Sequence, residues 1–475
     1  MRRLALVVVG ALLAPACASP DGEITADRDA LSRTVADRVG AEFDGPAASN
    51  DAAAEASIAA SIAALLEQPL TEASAVKIAL VRNPRVRAAY EELGVKSSEL
   101  VQAGLFSNPV FDAQARFFDA GTEVELGLAA SFLDLFFVPV EKRVAAAERD
   151  AVKAELARRL VALTFDVRRS FVRVRHAQEL VAIARHTADA AERAHQLRVM
   201  LHQAGNATDL DLARDTMAWT AALLAADSAR ADYEAAREPL MLGLGSSSAT
   251  LRWRLADEVS RAHADAPVDA ESIAIERSLD HLASRARVEA LDAGVTLASW
   301  NGLFSSGSAG VVAKREPDGA WGVGPALSLA LPLFDQGQAR TAIAEALRRR
   351  ELALQQQLEL ELRAAARVFA LRLDEATRRL ARFDAEYLPA RENYVTATLQ
   401  NYNAMQIGAF DVIDAQRMLD GARQERVLAA RDAALARLDL DELLAGSLDP
   451  ARFDAATASR GVRNASELES TGGHR

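Results

Sequence analysis

The stretch YNAMQIGAFDVIDAQR, residues 402–417, interrupts what otherwise reads as one very long helix. It carries Gly408 and two acids three apart, Asp411 and Asp414. A second break, LHQAGNATDLDLAR at 201–214, interrupts another long helix and places Asp211 exactly 200 positions before Asp411. Two further matches run in the same order. ALVRNPRVRAA (79–89) aligns with AIERSLDHLAS (274–284) at an offset of 195, and LFFVPVEKR (135–143) with PLFDQGQAR (332–340) at 197. Collinear matches with slowly growing offset predict a duplicated unit, the first repeat over 67–260 and the second over 261–448.

Each repeat reads as the same succession of elements. A helix comes first, near 72–104 and 270–299, then two strand-like segments. A long helix follows, from near 141 or 338 to the break, and then a return helix near 209–243 or 410–445. Between Val140 and Glu238 there is no Pro and one Gly, Gly205. Sixty or so helical residues at 1.5 Å each span about 90 Å. Apolar residues recur every three or four positions, as in Leu354, Leu358 and Leu362, the seam of a helix that packs laterally as in a coiled coil. Pro389 predicts a kink.

The strands alternate with period two. Phe111, Ala113, Ala115 and Phe117 oppose Asp112, Gln114 and Arg116; Val124, Leu126 and Leu128 oppose Glu123 and Glu125; Val323, Leu327, Leu329 and Leu331 oppose Gly324, Ala326 and Ser328. Residues 301–313 alternate poorly. Such segments suit a half-buried sheet or a barrel with lipid outside and water inside. Four strands cannot close a barrel, and open edges are not tolerated in lipid. A barrel therefore needs several chains, and three would supply twelve strands.

Composition limits the function. Half of the 475 residues are hydrophobic, only 5% are aromatic, and the net charge is −12. An acidic chain without a basic patch argues against a nucleic-acid partner. No Ser/His/Asp set, phosphate loop or Cys pair is present, so neither a catalytic residue nor a cofactor is expected. His176, His186, His195 and His202 lack metal-ligand spacing and read as exposed helix positions, and no metal ligand is assigned. GLGSSS at 242–247 reads as a helix stop into a loop.

MRRLALVVVGALLAPAC reads as a signal peptide, residues 1–16, too short to span a membrane. Cys17 resembles the lipidated Cys of a bacterial lipobox, although Ala14 stands where Leu is usual. The alternative is ordinary cleavage beside an incidental Cys. Residues 17–66 read as a lipidated linker, partly helical near its end, and 449–475 as a polar tail.

Taken with ALPLFDQGQAR, Pro389 and the paired breaks GNATDLDL and MQIGAFDVIDAQ, the sequence resembles the TolC-like outer membrane efflux proteins over about 67–448. The resemblance implies a mainly α fold with a small β part. Long coiled-coil-like helices would form a periplasmic helical barrel, and the strands of a homotrimer a twelve-strand barrel among outer membrane lipid. It implies a periplasmic adaptor and an inner-membrane pump as partners, in a passive exit duct for efflux or secretion. The breaks would be hairpin tips where the adaptor docks, with Gly205, Thr208 and Gly408 at the turns. Asp411 and Asp414 would form the pore constriction, six carboxylates in the trimer that favour cations and respond to pH. Tyr402 and Asp211 would tie the closed tips. Met405 and Ile407 depart from the family, which places Gly and, in some members, Arg there. For Asp211 helix capping is the competing role, and for Asp411 and Asp414 a solvated acidic face. The competing reading of the whole chain is a poreless periplasmic coiled-coil adaptor or structural protein.

Overall fold

The structure is a computed structural model that describes residues 19–40, 43, 45, 52–119, 121–247, 253–256, 265–304 and 306–458. Cys17, residues 1–16 expected to be a signal peptide, and most of the polar tail lie outside these residues. The elements follow in order: α1 (Asp21–Val39), α2 (Ala52–Glu67), α3 (Glu72–Arg82), α4 (Pro84–Ala103), β1 (Val110–Phe118), β2 (Gly121–Ser131), α5 (Asp134–Gln203) and α6 (Asp209–Gly243). Then come α7 (Ala270–Glu276), α8 (Leu279–Leu303), β3 (Gly307–Arg315), β4 (Trp321–Leu329) and α9 (Gln338–Arg382). A π-helical turn (Phe383–Tyr387), α10 (Leu388–Asn403) and α11 (Ala409–Ala445) complete the chain. From α3 onward, the sequence of two helices, two strands, a long helix, a break and a return helix occurs twice.

The chain forms two compact units, and each draws on both halves of the sequence. One contains the described residues of 1–32, 89–156 and 281–358; the other contains those of 33–88, 157–280 and 359–475.

In the first unit the four strands form one antiparallel sheet in the order β1-β2-β3-β4. Phe111 stands opposite Leu128, Leu128 opposite Val311, and Val311 opposite Pro325, so apolar residues line up across all four strands. β3 therefore alternates after all: Ala309, Val311 and Ala313 share the face of Leu126 and Val323. Its small residues hid the pattern. Residues 301–303 are the end of α8, and Leu331 lies beyond β4.

Residues 21–39 differ from the expected linker. Leu31, Val35 and Val39 recur four apart and are buried. Asp27, also buried, accepts from Ser97 Oγ at 2.8 Å and faces Lys153 Nζ at 3.3 Å and Arg149 Nη1 at 3.5 Å. Ser32 Oγ meets Tyr90 Oη at 2.7 Å, and burial pushes the Tyr90 phenol up to about 12. The segment is polar in composition, but its apolar residues fall on one stripe, which suffices for a packed helix.

In the second unit the core includes Leu70, Ile78, Phe165, Leu240 and Leu440. It also holds Arg169, only 2% exposed, whose guanidinium engages Asp439 at 2.9 Å and Glu442. Burial of Glu442 raises its pKa, against the pull of Arg169 and Arg452. Arg452 pairs with Asp449 at 2.8 Å and Asp166 at 2.5 Å. A buried charge is tolerated only when paired and hydrogen-bonded, as here.

α11 ends at Gly446, φ 104°, where any Cβ would stand 2.2 Å from the Arg277 carbonyl oxygen. The Leu279 N–H donates to the Gly446 carbonyl at 2.9 Å, so the corner between α7 and α8 is fastened to the end of the return helix. Asn83, at the corner between α3 and α4, does the equivalent work: its Nδ2 donates to the Gly243 carbonyl at 2.8 Å. Pro389 lacks an N–H and cannot bond the carbonyl four residues back. The helix absorbs this through the π turn before it, with the Leu388 N–H reaching the Phe383 carbonyl.

Candidate functional site: a two-faced sheet and two hairpin tips

Two places in the chain carry functional geometry, one in each unit. The first is the sheet. On one face lie Phe111, Phe117, Leu128, Val311, Trp321, Val323 and Leu327, all exposed, with Phe117 at 82% and Leu327 at 74%. On the other face, Arg116 Nη1 donates to Glu123 Oε1 at 3.0 Å, and Lys314 Nζ lies 3.2 Å from Glu123 Oε2. An ion-pair ladder thus crosses β1, β2 and β3 on one side of the sheet, while the opposite side is a continuous exposed apolar surface. Patches of this extent mark contact with lipid or another protein. Among the described residues, β1 and β4 each leave one edge unpaired. Among the described residues no helix is long and apolar enough to cross a membrane.

The second place is the pair of tips. At the first, α5 stops at Gln203. The Asn206 N–H bonds the Leu201 carbonyl at 2.8 Å, and Gly205 takes φ 77°. This is the left-handed stop that glycine adopts without strain. Thr208 then caps α6. Its Oγ1 accepts from the Asp211 N–H at 3.2 Å, and the Asp211 carboxylate accepts from the Thr208 N–H at 3.1 Å and its hydroxyl at 2.7 Å. These hydrogen bonds hold the Asp211 pKa below its ordinary value.

The second tip repeats the geometry with different residues. The Gln406 N–H bonds the Asn401 carbonyl at 2.9 Å, and the left-handed position falls on Met405, φ 61°, 94% exposed. It is the only non-glycine residue with positive φ among the described residues. Gly408 occupies the cap of α11. The Asp411 carboxylate accepts from the Gly408 N–H at 2.9 Å, but glycine has no side chain to return the bond. One half of the capping box is therefore missing here.

Asp411 and Asp414 are both exposed and stand three apart on α11, on one helical face. Each has a local partner: Asp411 caps Gly408, and Asp414 is ion-paired with Arg417. Tyr402 and Asp211 are not joined by a hydrogen bond. The Asp211 carboxylate is taken up by Thr208, and Tyr402 is part-exposed.

Other side chains brace the tips and carry no local signal in the sequence. Arg198 of α5 pairs with Asp215 of α6 at 2.5 Å and lies over the Phe410 ring of α11, 3.4 Å from its centroid. His195 stacks on Trp219 at 4.9 Å. A cleft of about 170 Å³ runs here, lined among others by Ala190, Ala194, Ala218, Ala222, Arg198 and Asp414.

The four histidines are not uniformly exposed. His176 is buried with Nδ1 at 2.7 Å from the Val172 carbonyl, and loss of hydration lowers its pKa. His186 meets Asp420 at 3.2 Å and His202 meets Asp209 at 2.7 Å, carboxylate partners that spacing did not reveal because they come from other helices. No group of three or more metal-ligating side chains occurs among the described residues.

Similar architecture occurs in solved outer membrane channels. The outer-membrane channel OprN superposes with a TM-score of 0.66 at 21% identity, covering 81% of this chain and 91% of OprN. The CmeC outer membrane channel of Campylobacter jejuni gives 0.64 at 14% identity, covering 80% and 89%. The outer membrane protein VceC of Vibrio cholerae gives 0.63 at 15% identity, covering 82% and 97%. No protein-family model and no curated protein matches the sequence. At these identities the likeness establishes the fold: the chain has the TolC-like fold of the outer membrane channels.

Proposed function

We propose that the chain is one protomer of a trimeric outer membrane channel, the passive exit duct of a tripartite efflux or secretion system. The single observation that carries this reading is the sheet. It has one apolar face, one ion-paired polar face and two unpaired edges. A sheet of this kind is satisfied in a bilayer when other copies pair with its edges, the apolar face turns to lipid and the polar face to water. Three copies give a twelve-strand barrel. A poreless coiled-coil protein has no use for a continuous exposed apolar sheet face. Cys17 is the lipidation site in this reading, and the two repeats, 67–260 and 261–448, are copies of one unit.

The tips at Gly205–Thr208 and Met405–Gly408 are the docking ends for a periplasmic adaptor, which links the duct to an inner-membrane pump. Asp411 and Asp414 line the constriction. Arg417 offsets one of these two charges in each chain, so the ring is less acidic than the two carboxylates alone imply. No contact within one chain closes the tips through Tyr402 and Asp211; in this reading closure is made between protomers.

Conductance of the detergent-purified protein in a planar lipid bilayer tests the proposal. The native chain is compared with Asp411→Asn/Asp414→Asn. Discrete cation-selective steps whose selectivity falls in the double variant are expected. Steps indifferent to the substitutions would remove the constriction assignment and leave the duct. Folded protein that never inserts would remove the duct.

A further inference from the structure

In the second unit, a cleft of about 220 Å³ opens beside the corner at Asn83. Among its lining residues are four arginines, Arg85, Arg169, Arg173 and Arg452, and one carboxylate, Asp166. These come from three parts of the chain: α4, α5 and the segment after α11. Arg85 lies two positions after Asn83 in the motif NPRVR, and the channel reading gives its side chain no role.

The arginines fall into two kinds. Arg169 and Arg452 are held in ion pairs with Asp439, Glu442, Asp449 and Asp166. Of these acids only Asp166 lines the cleft. Arg169 is almost wholly buried, yet its Nη1 makes no hydrogen bond; Asp166 Oδ1 lies 3.5 Å from it. Arg85 and Arg173 form no ion pair at all with the described residues, and both are exposed at the rim. Loss of hydration, and after it the charges of Arg452 and Arg169, lower the Arg173 pKa against the pull of Asp439.

Two unpaired guanidiniums at one small opening, backed by the buried and ion-paired Arg169 and by Arg452, form an anion receptor. The planar fork of arginine matches oxyanions with two parallel hydrogen bonds. A carboxylate would answer one of the two unpaired rim charges. A phosphate monoester, with a charge near −1.5 to −2, would answer both. We propose that this cleft binds the phosphate group of a small anionic ligand, with Arg85 and Arg173 as its grips.

The test uses the full chain in detergent micelles. Inorganic phosphate is titrated at constant ionic strength set with chloride, and binding is read by calorimetry. Saturable binding is expected. Arg85→Gln and Arg173→Gln should each weaken it about tenfold, the scale of one lost charge-assisted hydrogen bond. Both residues are exposed and unpaired, so the variants should fold as the native chain does. Arg382→Gln, another exposed arginine without an ion pair among the described residues, should leave binding unchanged. A parallel titration with vesicles containing phosphatidic acid separates the sources. Arg173-dependent binding of the vesicles without binding of free phosphate would assign the site to a lipid headgroup. Absence of binding to both, binding unchanged in Arg85→Gln and Arg173→Gln, or equal weakening by Arg382→Gln would overturn the proposal. None of these readouts requires the protein to insert in a bilayer or conduct.

Discussion

The two tips form a matched pair in which one residue decides the strain. The same left-handed position is filled by Gly205 at φ 77° and by Met405 at φ 61°. Replacing Met405 by Gly removes a cost of roughly 1–2 kcal/mol for an L residue in this region. It adds an unfolded-state entropy cost of roughly 0.5–1 kcal/mol. The net gain is about 0.5–1 kcal/mol, a two- to fivefold drop in local opening of the second tip. Gly205→Ala is the reverse experiment. A Cβ there meets no atom within 4 Å, so backbone strain alone is measured, and opening of the first tip should rise by a similar factor. Hydrogen–deuterium exchange of peptides spanning 201–208 and 401–408 reads both changes at once. Each substitution should alter only its own tip. If Met405→Gly leaves exchange at 401–408 unchanged or accelerates it, the Met405 backbone is not strained, and the reasoning fails. Single-channel recording of the same variant then asks whether that strain helps the second tip to open.

Further consequences can be checked separately. Arg169→Met leaves Glu442 buried without its main partner and should cost about 3–5 kcal/mol. Adding Glu442→Gln should return much of that loss, with the helical circular dichroism signal as readout on heating. Burial already raises the Glu442 pKa. Its ionised form therefore weakens the fold as pH rises through the folded value, and the deficit of Arg169→Met should shrink on acidification as Glu442 takes a proton. Thr208→Ala should cost about 1 kcal/mol of cap stability at the first tip. Because the Asp211 pKa is held down, its cap is complete above the unfolded value of 3.8 and is lost as pH falls through the lower folded value. Asp211→Asn should abolish that acid loss in exchange measured across the tip. Leu327→Arg places a charge on the exposed apolar sheet face and should cost about 2–4 kcal/mol if that face meets lipid near the midplane. Membrane-assembled trimer on semi-native gels should fall accordingly, whereas Ser328→Arg on the opposite face should be tolerated.

Much of the architecture was legible in the sequence because it depends on near neighbours. The return helices, expected near 209–243 and 410–445, are Asp209–Gly243 and Ala409–Ala445. A 3.6-residue apolar period and a Gly or Thr at the break act within one or two turns of chain. β1, β2 and β4 were readable from alternation for the same reason. β3 was not, since Gly310, Ala309 and Ala313 carry little hydrophobic contrast. Its face becomes visible only in register with β2 and β4. α1 was missed because average polarity outweighed three apolar residues spaced four apart.

Of the tip residues, Asp211, Asp411 and Asp414 could be placed on their helices from spacing, but their partners could not. The Thr208 hydroxyl takes Asp211, the Gly408 N–H takes Asp411 and the Arg417 guanidinium takes Asp414, and only the folded structure decides which bond forms. Arg198 on Phe410, Arg169 on Glu442 and the cluster of Arg85, Arg173 and Arg452 lie further beyond reach. Arg169 and Glu442 are 273 positions apart, and nothing in either residue's neighbourhood names the other. Local periodicity dictates which residues become helix or strand and which stripe turns inward. Which charges meet across that interior is set by how the stripes pack, and a buried charge that fails to meet its partner is too costly to keep.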